Sequence, residues 1–131
     1  MSLIDDSGVR IITLVGPGGV GKTRLALEVA RTVRRAAARE VAYIELAAVR
    51  DANHVLQTIA QTLAIPRSPD NSALSRIEEV LRDLDILLVL DNFEHLLGAS
   101  EVLVDILTAC PRICMLVTSR SVLKVSGEHV V

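Results

Sequence analysis

Gly16-Pro17-Gly18-Gly19-Val20-Gly21-Lys22-Thr23 decides how this chain is read. The spacing is G-x-x-x-x-G-K-[ST], a loop built to cradle phosphates. Its glycines let successive backbone N–H groups turn inward and approach phosphate oxygens with no Cβ in the way. The loop then enters a helix, whose free N–H groups and dipole favour an anion. Lys22 supplies a point charge for the β- and γ-phosphates, and the Thr23 hydroxyl suits a Mg²⁺ ion. Average composition would place the four fixed positions in a chain of this length by chance about 0.005 times. An incidental glycine-rich connector is therefore set aside.

The flanking residues supply the context the loop needs. Residues 10–15 form a short β-branched apolar run that reads as a buried strand. From Gly21 to about Ala38 there is no further glycine or proline. Leu25, Val29 and Val33 fall on one face there, with Ala26 and Ala30 beside them, and Arg24, Glu28, Arg31 and Arg35 fall largely opposite. Residues 41–46 predict a second strand. Asp51 caps a helix with Val55, Ile59 and Leu63 inward, closed by Pro66, and residues 67–71 form a polar loop. Ser72 caps a further helix with Leu74, Ile77, Leu81 and Leu84 inward. Residues 86–90 form an apolar strand ending at Asp91. Residues 96–109 predict a helix with Leu96, Leu103, Ile106 and Leu107 inward, stopped by Pro111, and residues 113–117 a last strand. Strands that are apolar throughout and alternate with helices mean a parallel sheet covered on both faces, a three-layer α/β/α domain.

Composition removes several function classes. The 131 residues are 50% apolar, enough for one domain with its own core, and 23% charged. A net charge of -2 gives no basic footprint for direct nucleic-acid contact or an anionic membrane. Tyr43 and Phe93 are the aromatic residues, so base-stacking platforms are not expected. The apolar run at 86–90 is far too short to span a bilayer. Acidic residues follow Met1-Ser2-Leu3 where a signal peptide would need a basic and then a long apolar stretch, so a cytoplasmic location is expected. Cys110 and Cys114, with His54, His95 and His129 scattered, lack zinc-ligand spacing and read as packed thiols.

A second group joins the loop. Strand 86–90 delivers Asp91 at its C-terminal end, where open α/β sheets bind ligands, and Asp91 would hold Mg²⁺ through water. Asn92 follows where many related ATPases carry an acid. Glu94 is the nearest candidate to orient or deprotonate an attacking water, with a solvated glutamate at a helix start as the other reading. His95 reads as a packing or capping residue. At the end of the last strand stand Thr118, Ser119 and Arg120, a polar pair and an arginine that would face the γ-phosphate. Arg120 either faces a γ-phosphate or is a solvent-facing loop residue. Gly16, Pro17, Gly18, Gly19, Val20, Gly21, Lys22, Thr23 and Arg24 are thus the candidate nucleotide-contacting residues. Lys22, Asp91, Glu94 and Arg120 are the candidate catalytic ones, and Thr23 and Asp91 the metal-side pair.

Taken in order, GPGGVGKTRLALEVA at 16–30, LLVLDNFEHL at 87–96 and VTSR at 117–120 resemble the signal-transducing ATPases with numerous domains. Among these the likeness is to the NB-ARC-like ATPase domains of large bacterial transcriptional regulators of LuxR/SARP type. The resemblance covers nearly the whole chain. It implies an ATP/ADP switch, with ADP holding a closed state and ATP exchange opening it for assembly. It implies Asp91 as the metal carboxylate, Arg120 as the γ-phosphate sensor, and the Thr118 strand between the loop strand and the Asp91 strand. Asn92 departs from the double-acid motif, so slow hydrolysis is expected. The family's upstream adenine-holding segment and its later strand, helical lid and winged helix are not matched. Gly127 to Val131 reads as the start of that later strand. Residues 1–131 are accordingly expected to be the core fragment of a longer regulator, ending before its last strand and lid. Its expected partners are nucleotide and its own chain's lid, winged-helix and DNA-binding domains. The loop strand would then lie at an open sheet edge, exposed to self-association or to pairing with the tail.

Two other functions compete. A small P-loop kinase would need an arginine-rich lid, whereas Arg31, Arg34, Arg35 and Arg39 look like a solvated face. A degenerate, nucleotide-free scaffold sits poorly with an intact Lys22 and Thr23. GTP specificity is disfavoured because no Asn-Lys-x-Asp stretch follows a strand.

Overall fold

The computed structural model describes residues 9–16, 21–36 and 40–131, with the backbone alone at 33–36. Pro17, Gly18, Gly19 and Val20 of the phosphate loop lie outside the described residues, as do residues 1–8 and the expected helix end at Ala37 and Ala38.

Among the described residues five strands form one parallel sheet. They are β1 (Ile11–Val15), β2 (Glu40–Glu45), β3 (Ile86–Asp91), β4 (Cys114–Ser119) and β5 (Glu128–Val130), in the order β2-β3-β4-β1-β5. The helices are α1 (Lys22–Ala36), α2 (Ala52–Thr62), α3 (Ala73–Leu81) and α4 (Glu101–Ala109). The α/β/α architecture and the central position of β4 are as expected. Buried residues divide by strand alternation. Ile12, Leu14, Leu87, Val89 and Leu116 pack with Ala26, Val29 and Ala30 of α1. Ile11, Ile44, Leu88, Leu90, Met115 and Val117 pack on the other face with residues of α2, α3 and α4. A strand covered on both faces has no polar side to show, hence the unbroken apolar runs.

Local rules account for most boundaries. Asp51 caps α2 by accepting from His54 N at 2.8 Å, and Ser72 caps α3 by accepting from Ser75 N at 3.1 Å. Three expectations need correction. The single helix at 96–109 is instead a 3₁₀ segment, Glu94–Ala99, followed by α4, with Leu96 in a non-helical conformation. Gly98 and Ser100 are weak helix formers, and the Ser100 hydroxyl donates to Leu97 O at 2.7 Å, competing with the helix ladder. Leu84 lies beyond the end of α3 and is 46% exposed. Leu25 is 50% exposed, because Ala26, Val29 and Ala30 form the stripe that meets the sheet.

Of the two outcomes expected at the β1 edge, self-association or pairing with the tail, the structure shows the pairing. The tail is the further strand: Glu128 to Val130 run parallel to β1, opposite Ile11 to Thr13. Val131 extends the pairing, donating to Thr13 O at 2.9 Å and accepting from Val15 N at 3.1 Å. Among the described residues β5, three residues long, therefore stands beside β1 on that side. No helix among the described residues is long and apolar enough to cross a membrane.

Candidate nucleotide site

The C-terminal ends of β1, β3 and β4 and the N-terminus of α1 meet at one end of the sheet. Gly16 continues β1 and donates to Ser119 O at 3.2 Å, tying the loop's first residue to β4. Gly21 has φ +86, a left-handed conformation that favours glycine, and it leads directly into α1. The aliphatic part of Lys22 lies over Gly16, and its Nζ reaches Glu94 Oε1 at 3.4 Å. Both side chains of this pair are mostly buried, at 12% and 23% exposed.

Thr23 sits on the sheet-facing side of the first turn of α1, and its hydroxyl donates to Asp91 Oδ2 at 2.9 Å. Asp91 is wholly buried at the end of β3. Burying a carboxylate without donors would cost several kcal/mol, and here hydroxyls supply them. Besides Thr23, Thr118 donates to Oδ1 at 2.5 Å, and Tyr43 from β2 donates to Oδ2. Among the described residues no Lys, Arg or His forms an ion pair with Asp91. Tyr43 is held protonated well above the usual tyrosine range, by burial first and then by the Asp91 and Glu45 carboxylates beside it. A wholly buried carboxylate beside a threonine hydroxyl, with only neutral donors around it, is a hard-oxygen set that fits Mg²⁺.

Two separate direct contacts thus pair Lys22 with Glu94 and Thr23 with Asp91 at this end of the sheet. Arg24 and Arg120 are exposed. Arg120 stands just past Ser119, which pairs with Val15, so it borders the loop entrance. His95 is exposed and ties the 3₁₀ segment to the β2–α2 connection by a hydrogen bond, its Nε2 lying 2.7 Å from Val49 O. Thr118, read as facing phosphate, instead donates to Asp91 and accepts from Asn92 N at 2.8 Å. Sequence reasoning passed over Tyr43 and Glu45. The signal was there in strand alternation, because positions 41, 43 and 45 share the face that carries Asp91 on β3. Beside the loop, Leu14, Val15, Gly16, Gly21, Lys22, Leu25 and Val131 line a cleft of about 320 Å³.

The AAA domain family matches residues 5–125. The chain belongs to that family. AAA domains as a family bind nucleotide with Mg²⁺. An uncharacterized protein of Mycobacterium tuberculosis strain H37Rv is 38% identical over 127 residues, covering 93% of this chain and 31% of that protein. A second protein of the same strain, named "Putative HTH-type transcriptional regulator", is 37% identical over 120 residues, covering 91% of this chain and 13% of its own length. The chain therefore spans under a third of these relatives. Among solved structures, Cdc6p from Pyrobaculum aerophilum superposes with a TM-score of 0.67 at 24% identity, over 85% of this chain and 32% of its own. The signal transduction ATPase with numerous domains carrying a tetratricopeptide repeat sensor, from Pyrococcus horikoshii, gives a TM-score of 0.61 at 16% identity, over 99% of this chain and 22% of its own. At these identities the likeness is one of fold.

Proposed function

We propose that this AAA domain is the ATP/ADP-binding switch module of a longer transcriptional regulator, binding Mg-ATP and hydrolysing it slowly. The observation that carries the reading is the Thr23–Asp91 contact beside Lys22, which couples the helix after the phosphate loop to a buried carboxylate. Thr23 and Asp91 would hold Mg²⁺, which when bound screens phosphate charge. The Lys22 ammonium exchanges Glu94 for phosphate oxygens, so nucleotide entry opens the 3.4 Å pair and frees the 3₁₀ segment that begins at Glu94. The cleft at Leu14, Leu25 and Val131 offers an apolar surface to the purine. Arg120, at the loop entrance, distinguishes ATP from ADP by pairing with the γ-phosphate. The NB-ARC-like assignment rests on the three ordered motifs and is supported by the regulator relative. Residues 1–131 are then the nucleotide-binding core. Lid, winged-helix and DNA-binding domains of the same chain are its partners, and the cytoplasm is its location.

Calorimetric titration with ATP and with ADP, each in Mg²⁺ and in EDTA, tests this reading. Binding of both nucleotides, tighter with Mg²⁺, is expected. A chain that binds neither is not a nucleotide switch.

A further inference from the structure

The residue after Asp91 is Asn92, and its surroundings are ordered from three sides. Its N–H donates to Thr118 Oγ1 at 2.8 Å, and the next N–H, of Phe93, donates to Thr118 O at 2.9 Å. Its φ of +66 is left-handed, a conformation asparagine tolerates better than most residues. Its side-chain Nδ2 donates to Glu45 Oε1 at 2.8 Å. That orientation is fixed by chemistry, because an ionised carboxylate only accepts, so the amide must turn its nitrogen to Glu45 and its oxygen away. Glu45 is itself anchored. It stands opposite Asp91 in the β2–β3 register, and its Oε1 also accepts from Ala47 N at 2.8 Å.

We infer that Glu45 and Asn92 work as one pair that orients the attacking water in the hydrolysis proposed above. The Asn92 amide oxygen is the acceptor, and Glu45 is the positioning residue that aims it. The inference rests on the proposed function. An amide orients water, as glutamine does in some GTPases, but cannot take its proton. In the step, the water oxygen bonds to the γ-phosphorus as the bond to the β–γ bridging oxygen breaks. That oxygen's electron pair leaves on ADP, and the water proton passes to a phosphate oxygen. Asn92 directly follows the metal-side carboxylate, and its amide is held by Glu45 independently of the Lys22–Glu94 pair that nucleotide entry opens.

Single-turnover hydrolysis with protein in excess over Mg-ATP, together with calorimetric affinity, tests the pair. Glu45→Ala and Asn92→Gly should each slow turnover roughly tenfold or more, the scale of one oriented hydrogen bond. Mg-ATP affinity should stay within about threefold of the parent. Asn92→Gly retains the left-handed backbone, so its loss reports the amide. Glu45→Gln keeps an acceptor for Nδ2 and should restore most of the rate. The double variant Glu45→Ala/Asn92→Gly should be no slower than Asn92→Gly alone. Additive losses, a Glu45→Ala rate equal to the parent's, or a Glu45→Gln rate as low as that of Glu45→Ala would each overturn the pair. A parent that binds no Mg-ATP overturns the proposed function itself, which the binding arm reads independently of the variants.

Discussion

On the face beneath α2, α3 and α4, the central strands are apolar to their ends, with Leu88, Leu90, Met115 and Val117 buried alongside Phe93 and Leu96. On the α1 face the same strands start equally apolar, at Leu87, Val89, Cys114 and Leu116, but finish on Asp91 and Thr118. The neighbouring β2 follows suit, passing from Val41 to Tyr43 and Glu45. The difference lies in what covers each face. Among the described residues three helices cover one side, while on the other one helix starts level with the strand ends and presents its N-terminus there. A helix N-terminus has unpaired N–H groups and a positive dipole end, so apolar residues would gain little beside it and a carboxylate with hydroxyl donors is stable. One face therefore stores stability, and the other gives some up for a site.

The contrast can be broken by two substitutions. Leu88→Ala removes a fully buried side chain from the thick core and should cost about 2–5 kcal/mol of unfolding free energy, with the folded fraction binding Mg-ATP as the parent does. Denaturant unfolding read beside calorimetry checks both halves. Lys22→Ala should do the reverse, weakening Mg-ATP affinity by roughly 100-fold while thermal unfolding moves little, because the lost contacts are charge-assisted and lie at the site. If Leu88→Ala harmed affinity in the folded state, or Lys22→Ala unfolded the chain, the two faces would not divide the work.

How much was legible follows the same division. The sealed face obeys period and capping rules, so the strands, Asp51, Ser72 and the inward Ile59, Ile77 and Leu81 were readable from residue type alone. Where local signals were weak the reading slipped. Gly98 and Ser100 broke the helix foreseen at 96–109, and although pairing of the tail with β1 was foreseen as one of two outcomes, its register opposite Ile11 to Thr13 was not, because apolarity does not encode it. At the site, the loop and Asp91 carried their own spacing. Tyr43, Glu45 and Asn92 did not, because their roles arise from strands adjacent in space and distant in sequence.

Within the site face, Asp91→Asn sharpens the reading. The three hydroxyls around Asp91 can rotate to meet an amide, so the fold should hold. Mg²⁺-dependent affinity should fall by about tenfold and EDTA affinity by much less, as expected of a carboxylate that serves the metal. An equal loss in both conditions would make Asp91 structural. Arg120→Ala should be smaller still in its total effect, lowering ATP affinity by several-fold to about tenfold and leaving ADP affinity unchanged. Equal losses for the two nucleotides would remove Arg120 from the γ-phosphate.

The smallest expected effect concerns the β5 edge, which neither face seals. Glu128 folds back so that its carboxylate accepts from Leu123 N and Lys124 N, each at 2.9 Å, pinning the turn that leads into β5. Burial alone would push this carboxyl up. The backbone N–H groups of Leu123, Lys124 and Val125 turned toward it outweigh burial, and hold Glu128 below the usual glutamate range. A group whose folded pKa is lowered adds stability above its unfolded pKa, near 4.3, and that stability disappears as pH falls through the folded value. The edge should therefore loosen in acid while the sheet centre does not. Amide exchange at Val15, Leu123, Lys124 and Val131, compared with Leu88 and Leu116, reads this directly once the intrinsic pH dependence is removed. Protection at the four edge amides should drop by a few-fold between pH 6 and pH 3, on the scale of one hydrogen bond worth about 1 kcal/mol. Glu128→Gln should show the weakened protection already at pH 6 and no further step. If the edge and the centre lost protection together, β5 would belong to the cooperative core, and the tail would be as firmly part of the sheet as β4.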